Sequence, residues 1–317
     1  MQFKFVLPAR EVLYRALATL IFKKLRRTDL KLFVRTNDII SLSPILFSDH
    51  EPHMLAFLRA ASAQNARDFM LDIGSNIGLT CCPVKDAFDR IVAFEPNPLA
   101  FKILEVNAAV SSGRAEMSLR NYGIGVEDAT LDLMVPRHNW GGAFVVSDDN
   151  AYDHEVLARK DGFQQIDEAN YIRETVEIRK GAPVFADVFA QVLDGRESAR
   201  GVAKIDVEGF ESSVLSELAQ ALPEEISLII IFENWDPKFD LETALAAFGA
   251  RGTAYRLPRQ AAFSSTAPRW RKRWDYLKGL LTGRASYIYD LEPISPQTRG
   301  DHILCDLVLE ISGTPED

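Results

Sequence analysis

Residues Phe69-Met70-Leu71-Asp72-Ile73 read as an apolar strand that runs into Gly74-Ser75-Asn76-Ile77-Gly78 and then into a helix. The same succession recurs along the chain. Arg90 to Phe94 precedes a helix over Pro98 to Val110 and a strand over Ala115 to Arg120. Gly201 to Ile205 precedes a helix over Ser212 to Ala221 and a strand over Ser227 to Phe232. Strand then helix, repeated, predicts an α/β fold with a mostly parallel sheet and helices on both faces. Ile303 to Ile311 reads as a late strand, antiparallel at the sheet's edge or in a closing hairpin.

The flanks are weaker signals. Leu13, Leu17, Leu20, Ile21 and Leu25 recur at helical spacing between Pro8 and Arg27, and Leu30 to Leu42 reads as a hairpin around Thr36-Asn37-Asp38. A helix is expected over Pro52 to Ala63, with proline in its first turn. Residues 1–63 thus form an N-terminal helical and hairpin extension, and residues 64–317 the main domain. Between Asn121 and Val184 the pattern fades into a strand pair with an inserted loop at about 137–180. C-terminal additions include a basic aromatic segment, 263–284.

Cys81, Cys82 and Cys305 cannot make a disulfide framework or a CxxC metal site, so a reducing cytoplasm is the expected setting. Val12 to Phe22 is interrupted by Arg15, too short to span a bilayer and too polar for a signal sequence. The net charge of -9 is uneven: residues 1–35 carry +7 and residues 263–284 carry +5, leaving an acidic remainder. That excludes a general nucleic-acid binder and directs any anionic partner to the two basic segments. Trp270, Trp274, Leu277 and Leu281 share one helical face there, which suits peripheral membrane contact or a glycan clamp; packing of the tryptophans on the domain is the alternative. Oligomeric state is not written in the sequence.

The glycine turn after the first strand provides flexible backbone at a strand's carboxyl end, where doubly wound sheets bind ligands. A dinucleotide fingerprint would read Gly-x-Gly-x-x-Gly, but here Asn76 replaces the second glycine and Asp72 precedes the turn. A carboxylate there repels a pyrophosphate and suits an ammonium. Glu95, ending the second strand in Phe94-Glu95-Pro96-Asn97-Pro98, is suited to accept hydrogen bonds from a ribose diol. Ribose and an amino-acid head without pyrophosphate describe S-adenosylmethionine.

Asp72-Ile73-Gly74-Ser75-Asn76-Ile77-Gly78, Ala93-Phe94-Glu95-Pro96-Asn97-Pro98 and Lys204-Ile205-Asp206-Val207-Glu208-Gly209-Phe210-Glu211 resemble the three signature blocks of FkbM-family S-adenosylmethionine-dependent methyltransferases. The resemblance covers about residues 50 to 235. It implies a class I methyltransferase (Rossmann-like) fold and O-methylation of a hydroxyl on a sugar, glycan or secondary metabolite. It also implies that Asp72, Gly74, Ser75, Asn76 and Gly78 line the methionine part, Glu95 holds the ribose, and Asn97 and Asn121 neighbour the adenosine. The sequence departs at Ser75, where the family usually has Ala, and at Cys81-Cys82-Pro83, where Pro83 should kink the first helix.

Asp206 and Glu208 emerge at the same sheet edge as Gly74, so Asp206 is the first candidate for base or acceptor orientation. Either could instead cap the helix that follows, and Glu211 reads as a solvated first-turn residue. Glu233 also faces the acceptor. Asp206, Glu233 and Asn234 form an oxygen-ligand set of the kind Mg²⁺ takes, with hydrogen bonding to the acceptor as Glu233's alternative. His138 is a second candidate base, and His50 has the same standing. The competing functions are a nucleotide-dependent oxidoreductase on a similar sheet and a non-catalytic module that binds cofactor or glycan.

Overall fold

The computed structural model describes residues 32–41, 44, 50–147, 150, 167–258 and 291–313. The expected helix before Arg27 and the basic segment 263–284 lie outside them. No described helix is long and apolar enough to cross a membrane.

Helix α1 (Pro52–Ala63) takes the predicted span, with Pro52 where a helix leaves amides unpaired in any case. Strands β1 (Phe69–Ile73) and β2 (Arg90–Phe94) follow. The helix expected between them does not form. Turns and one 3-10 stretch at Cys82–Val84 replace it, because Pro83 has no amide with which to continue an α-helical ladder. Next come α2 (Pro98–Val110) and β3 (Glu116–Arg120), and then four strands: β4 (Gly123–Gly125), β5 (Ala129–Pro136), β6 (Phe144–Val145) and β7 (Tyr171–Lys180). Residues 171–180, within the span read as inserted loop, are therefore the longest strand. The chain continues through α3 (Gly181–Leu193), β8 (Ala199–Ile205), α4 (Glu211–Ala221), β9 (Ile226–Glu233), α5 (Leu241–Ala246), β10 (Gly252–Leu257), β11 (Glu292–Pro293) and β12 (Asp306–Ile311).

The main sheet runs β11-β10-β12-β9-β8-β1-β2-β3. Its centre, β3-β2-β1-β8-β9, is parallel; β12 runs antiparallel between β9 and β10, so β10 points the same way as the centre, and β11 pairs antiparallel with β10. β12 is not at the edge as the sequence suggested; it lies between β9 and β10, with Val308 opposite both Ile231 and Tyr255. Asp306 to Leu309 are all buried, which suits an interior position. Strand order reverses at β1, where crossovers leave in opposite directions and open a crevice at the carboxyl ends.

Alternating side chains along β1 serve two cores. Phe69, Leu71 and Ile73 pack with Phe185 and Phe189 of α3 and Leu215 and Leu218 of α4. Met70 packs with Leu58 of α1, Leu104 of α2 and the Cys81-Cys82 pair. Helices thus cover both faces. A second sheet, β4-β7-β5-β6, has its own core of Leu133, Val135, Val145, Val176 and Ile178.

The described part of the segment read as a hairpin has a turn at Thr36-Asn37 and a helical turn from Ile39, without strands. It bonds across to residues 137–140 instead of to itself: the Ile39 amide donates to the His138 carbonyl at 3.0 Å, and the Trp140 amide to Asp38 Oδ2 at 3.3 Å.

Candidate active site

Gly74 has φ +82, and a Cβ there would fall 1.8 Å from the Asp206 carbonyl oxygen. Its missing side chain lets the ends of β1 and β8 touch, and the Asp206 amide donates to the Ile73 carbonyl at 2.9 Å. The Gly74 and Ser75 amides both donate to the Phe94 carbonyl of β2. The turn is therefore fastened to both neighbouring strands. Asn76 and Glu208 also have left-handed backbone, φ 48 and 50, at this junction, and such strain in non-glycine residues collects at functional sites.

Two cavities open there. An apolar chamber is lined by Ile73, Phe94, Ile124, Leu133, Val145 and Trp140, with Glu95 as a polar wall. A polar chamber is lined by His50, Glu51, Lys204, Glu208, Glu233 and Thr80. Gly74, Asn76, Gly141 and Asp206 border both, so the chambers adjoin.

The Glu95 carboxylate accepts from the Asn76 and Asn97 amides at 2.7 Å each. Burial pushes its pKa up to about 7 despite those two bonds. It is the buried acid on the apolar chamber, at the end of β2. Asn97 does not face a cavity: its Oδ1 accepts from the Leu99 and Ala100 amides as the N-cap of α2. Asn121 donates to the Glu95 and Pro96 carbonyls at 2.8 and 3.3 Å, bracing this turn from outside the chamber walls.

Asp72 departs from expectation. Its side chain is fully buried on the Met70 face of β1, lines neither chamber, and lies 3.5 Å from the Lys204 ammonium. β1 and β8 put Asp72 opposite Lys204 in register, so the lysine is its charge partner inside the sheet, while neither carboxylate oxygen makes a hydrogen bond. Ser75 lines the polar chamber, with its hydroxyl donating to the Asp72 carbonyl at 2.6 Å. Gly78 lines neither; a Cβ there would meet Cys82 Sγ and Leu104 Cδ1 at 2.8 Å, so this glycine serves packing.

Lys204, missed in the sequence, organises the junction. Its ammonium donates to the Gly74 carbonyl at 3.1 Å and Asp206 Oδ2 at 3.2 Å. Burial alone would lower its pKa, but Asp206, then Asp72 and Glu51, overcome that and hold it above the ordinary lysine value. Burial, then Asp206, pushes the Glu51 carboxyl up. Burial, then Lys204, pulls the His50 imidazole down to about 4, so it is neutral near pH 7; its Nδ1 is buried without a partner. His50, already a candidate in the sequence, and Glu51 come from the loop before α1, and tertiary contact alone reveals Glu51.

Asp206 and Glu233 meet in the polar chamber, with Glu208 beside them. Neither Asp206 nor Glu208 caps α4, whose N-cap position is Phe210. Glu211 is buried and accepts from the Gly209 amide at 3.0 Å, unlike the solvated residue expected. His138 is exposed, bonded to Asn37 at 3.0 Å, and outside both chambers. The magnesium set does not assemble. Asn234 is turned away, donating to the Ile303 and Asp236 carbonyls at 2.8 and 3.2 Å, and no group of three His, Cys, Asp or Glu residues converges as a metal site among the described residues.

The lining of the apolar chamber has the chemistry that a nucleoside would need. Apolar walls suit a flat base, Glu95 suits a diol, and the buried, unpartnered Asn76 Oδ1 is an acceptor awaiting a donor. The parallel strands with antiparallel β12 inserted beside β9 form the class I methyltransferase sheet. A curated relative is a methyltransferase. It is methyltransferase sdnD of Sordaria araneosa, 26% identical over 174 residues, spanning 53% of this chain and 67% of the relative. Similar solved structures include a precorrin-6y C5,15-methyltransferase from Geobacter metallireducens GS-15, with 10% identity, TM-score 0.38, and 90% and 96% of the two chains covered. Another is a TehB-like SAM-dependent methyltransferase from Corynebacterium glutamicum ATCC 13032 Kitasato, with 12% identity, TM-score 0.33, and 82% and 88% covered. No family model matches the chain.

Proposed function

We propose that the protein is an S-adenosylmethionine-dependent methyltransferase of the FkbM type that methylates a hydroxyl on a sugar, glycan or secondary metabolite. The observation that carries this reading is the junction of the two chambers. A buried carboxylate at the end of β2 lines an apolar cavity, and that cavity shares Gly74, Asn76 and Asp206 with a chamber rich in proton acceptors. The sequence likeness to a methyltransferase supports it.

When bound, the cofactor supplies a methyl group on a sulfonium, which an acceptor oxygen displaces in line as the carbon–sulfur bond breaks. Glu95 holds the ribose and Asn76 accepts from the cofactor's donors. The acceptor sits in the polar chamber, its hydroxyl oriented by Asp206 and Glu233. Its proton goes to Asp206 or to the neutral His50; His50 takes over the role read for His138. Lys204 holds Asp206 through a 3.2 Å ion pair, and Asp72 holds Lys204 from 3.5 Å on its other side. Glu233 also borders a neighbouring cleft with Trp235 and Arg256, which gives room for an acceptor larger than one ring.

The test is calorimetry with S-adenosylhomocysteine, followed by methyl transfer from tritiated cofactor to a panel of methyl glycosides, phenols and amines. The reading requires binding of the nucleoside and label on glycoside or phenol oxygen. Thermal protection by NAD(H) in place of S-adenosylhomocysteine would sink it, and label on amines alone would remove the O-methylation.

A further inference from the structure

Trp140 borders the apolar chamber, and its indole Nε1 is buried with no hydrogen-bond partner. A buried tryptophan N–H usually finds an acceptor, and leaving it without one costs free energy. The residue is otherwise firmly held. Its amide donates to Asp38 Oδ2 at 3.3 Å, and the Arg35 guanidinium lies 4.2 Å from the ring centroid. Arg35 in turn donates to Asp38 at 3.1 Å and to the Arg137 carbonyl at 2.7 Å. Two stretches about a hundred positions apart therefore cooperate to fix this ring.

A second orphan stands beside it. A Cβ on Gly141 would reach Asn76 Nδ2 at 3.4 Å, so the Trp140-Gly141 step lies against the Asn76 side chain. Asn76 Oδ1 is also buried without a partner. One wall of the chamber thus holds an unmet donor and an unmet acceptor, next to Glu95. A lone apolar ligand would leave both unmet. A nucleoside brings both complements: ring nitrogens and ribose oxygens accept, while its amine and hydroxyls donate.

We propose that the Trp140 indole N–H donates a hydrogen bond to the bound nucleoside, which makes the stretch from Arg35 to Asp38 that holds this ring a part of the cofactor site. The inference rests on the nucleoside reading of the apolar chamber and adds a recognition residue to it.

The test compares the wild-type chain with Trp140→Phe by calorimetry with S-adenosylhomocysteine and by thermal melting without ligand. Phenylalanine retains an aromatic ring and removes the N–H. The expected result is affinity lowered by about fivefold or more, with an unchanged or higher melting temperature of the ligand-free protein. A purely structural tryptophan would give the reverse: a lower melting temperature and affinity within about fivefold of wild type, and that overturns the proposal. If Trp140→Phe does not fold, site-specific replacement of Trp140 by benzothienylalanine, which keeps the bicyclic shape without the N–H, decides on the same affinity criterion. Failure of the wild-type protein itself to bind S-adenosylhomocysteine overturns the nucleoside reading and this inference together, whereas an unaffected variant overturns the inference alone.

Discussion

The two chambers share a border yet are built from opposite materials. Around Glu95 the walls are Ile73, Phe94, Ile124, Leu133 and Val145, with one carboxylate tied to two backbone amides. Around His50 the walls are ionisable: Glu51, Lys204, Asp206, Glu208 and Glu233. A surface of the first kind binds by excluding water from a flat ligand and reading a few of its polar atoms. The second kind holds charges whose protonation states are set by one another, which is what proton transfer requires. The contrast teaches that an apolar surface suited to affinity and an ionisable one suited to chemistry meet at Gly74 and Asn76.

Disturbing that meeting point should harm both chambers at once. Gly74→Ala sets a Cβ against the Asp206 carbonyl in a left-handed backbone, and should destabilise the fold by roughly 3 to 5 kcal/mol. Urea midpoints would register it, together with loss of nucleoside binding; a variant of wild-type stability would mean the two strand ends do not touch. Asp206→Asn sharpens the comparison on the polar side. On a glycoside that wild type methylates, kcat should fall by about 10² to 10⁴-fold while S-adenosylhomocysteine affinity changes little. Equal losses in both would merge the two roles.

Glu95→Ala tests the other side, with binding weakened by about 1 to 3 kcal/mol in calorimetry, the loss of charge-assisted bonds to a diol. Unchanged affinity would remove the ribose assignment. The smallest effect is the pH dependence. The ligand-free Glu95 carboxyl titrates at about 7, so the ionised, accepting form is present above that pH and is lost as pH falls through it. Affinity should drop by about tenfold from pH 8 to pH 6 in the wild type and stay nearly flat in Glu95→Gln.

Much of the frame was legible because it is local. Apolar runs bounded by glycine or proline gave β1, β2, α1 and α2 at their observed limits, and Glu95 follows from its place at a strand end. Helix α3 was legible too but overlooked: Val184, Phe185, Val188, Phe189 and Val192 recur at helical spacing after Gly181. Strand β7 was also legible and overlooked: Val176 and Ile178, turned into the second sheet's core, alternate with charged residues at the period of a half-buried strand. The pairing of Asp72 with Lys204 was not legible, because a carboxylate at a strand end looks the same in sequence whether or not a lysine stands across the sheet. Glu51, Lys204 and Trp140 come to the chambers only through contacts between distant segments, which periodicity does not record.

The interior position of β12 bears on how the chain reaches its final form. Its partners β9 and β10 were synthesised earlier, and His53 of α1 meets Asp306 at 3.1 Å across 253 positions. Until residues 306–311 leave the ribosome, Ile229 to Phe232 present an open apolar edge, a surface prone to pairing with another chain. Assembly of this half of the sheet is therefore a late event with high contact order, and nascent chains stalled before β12 should depend on chaperone protection while those extended past it should not.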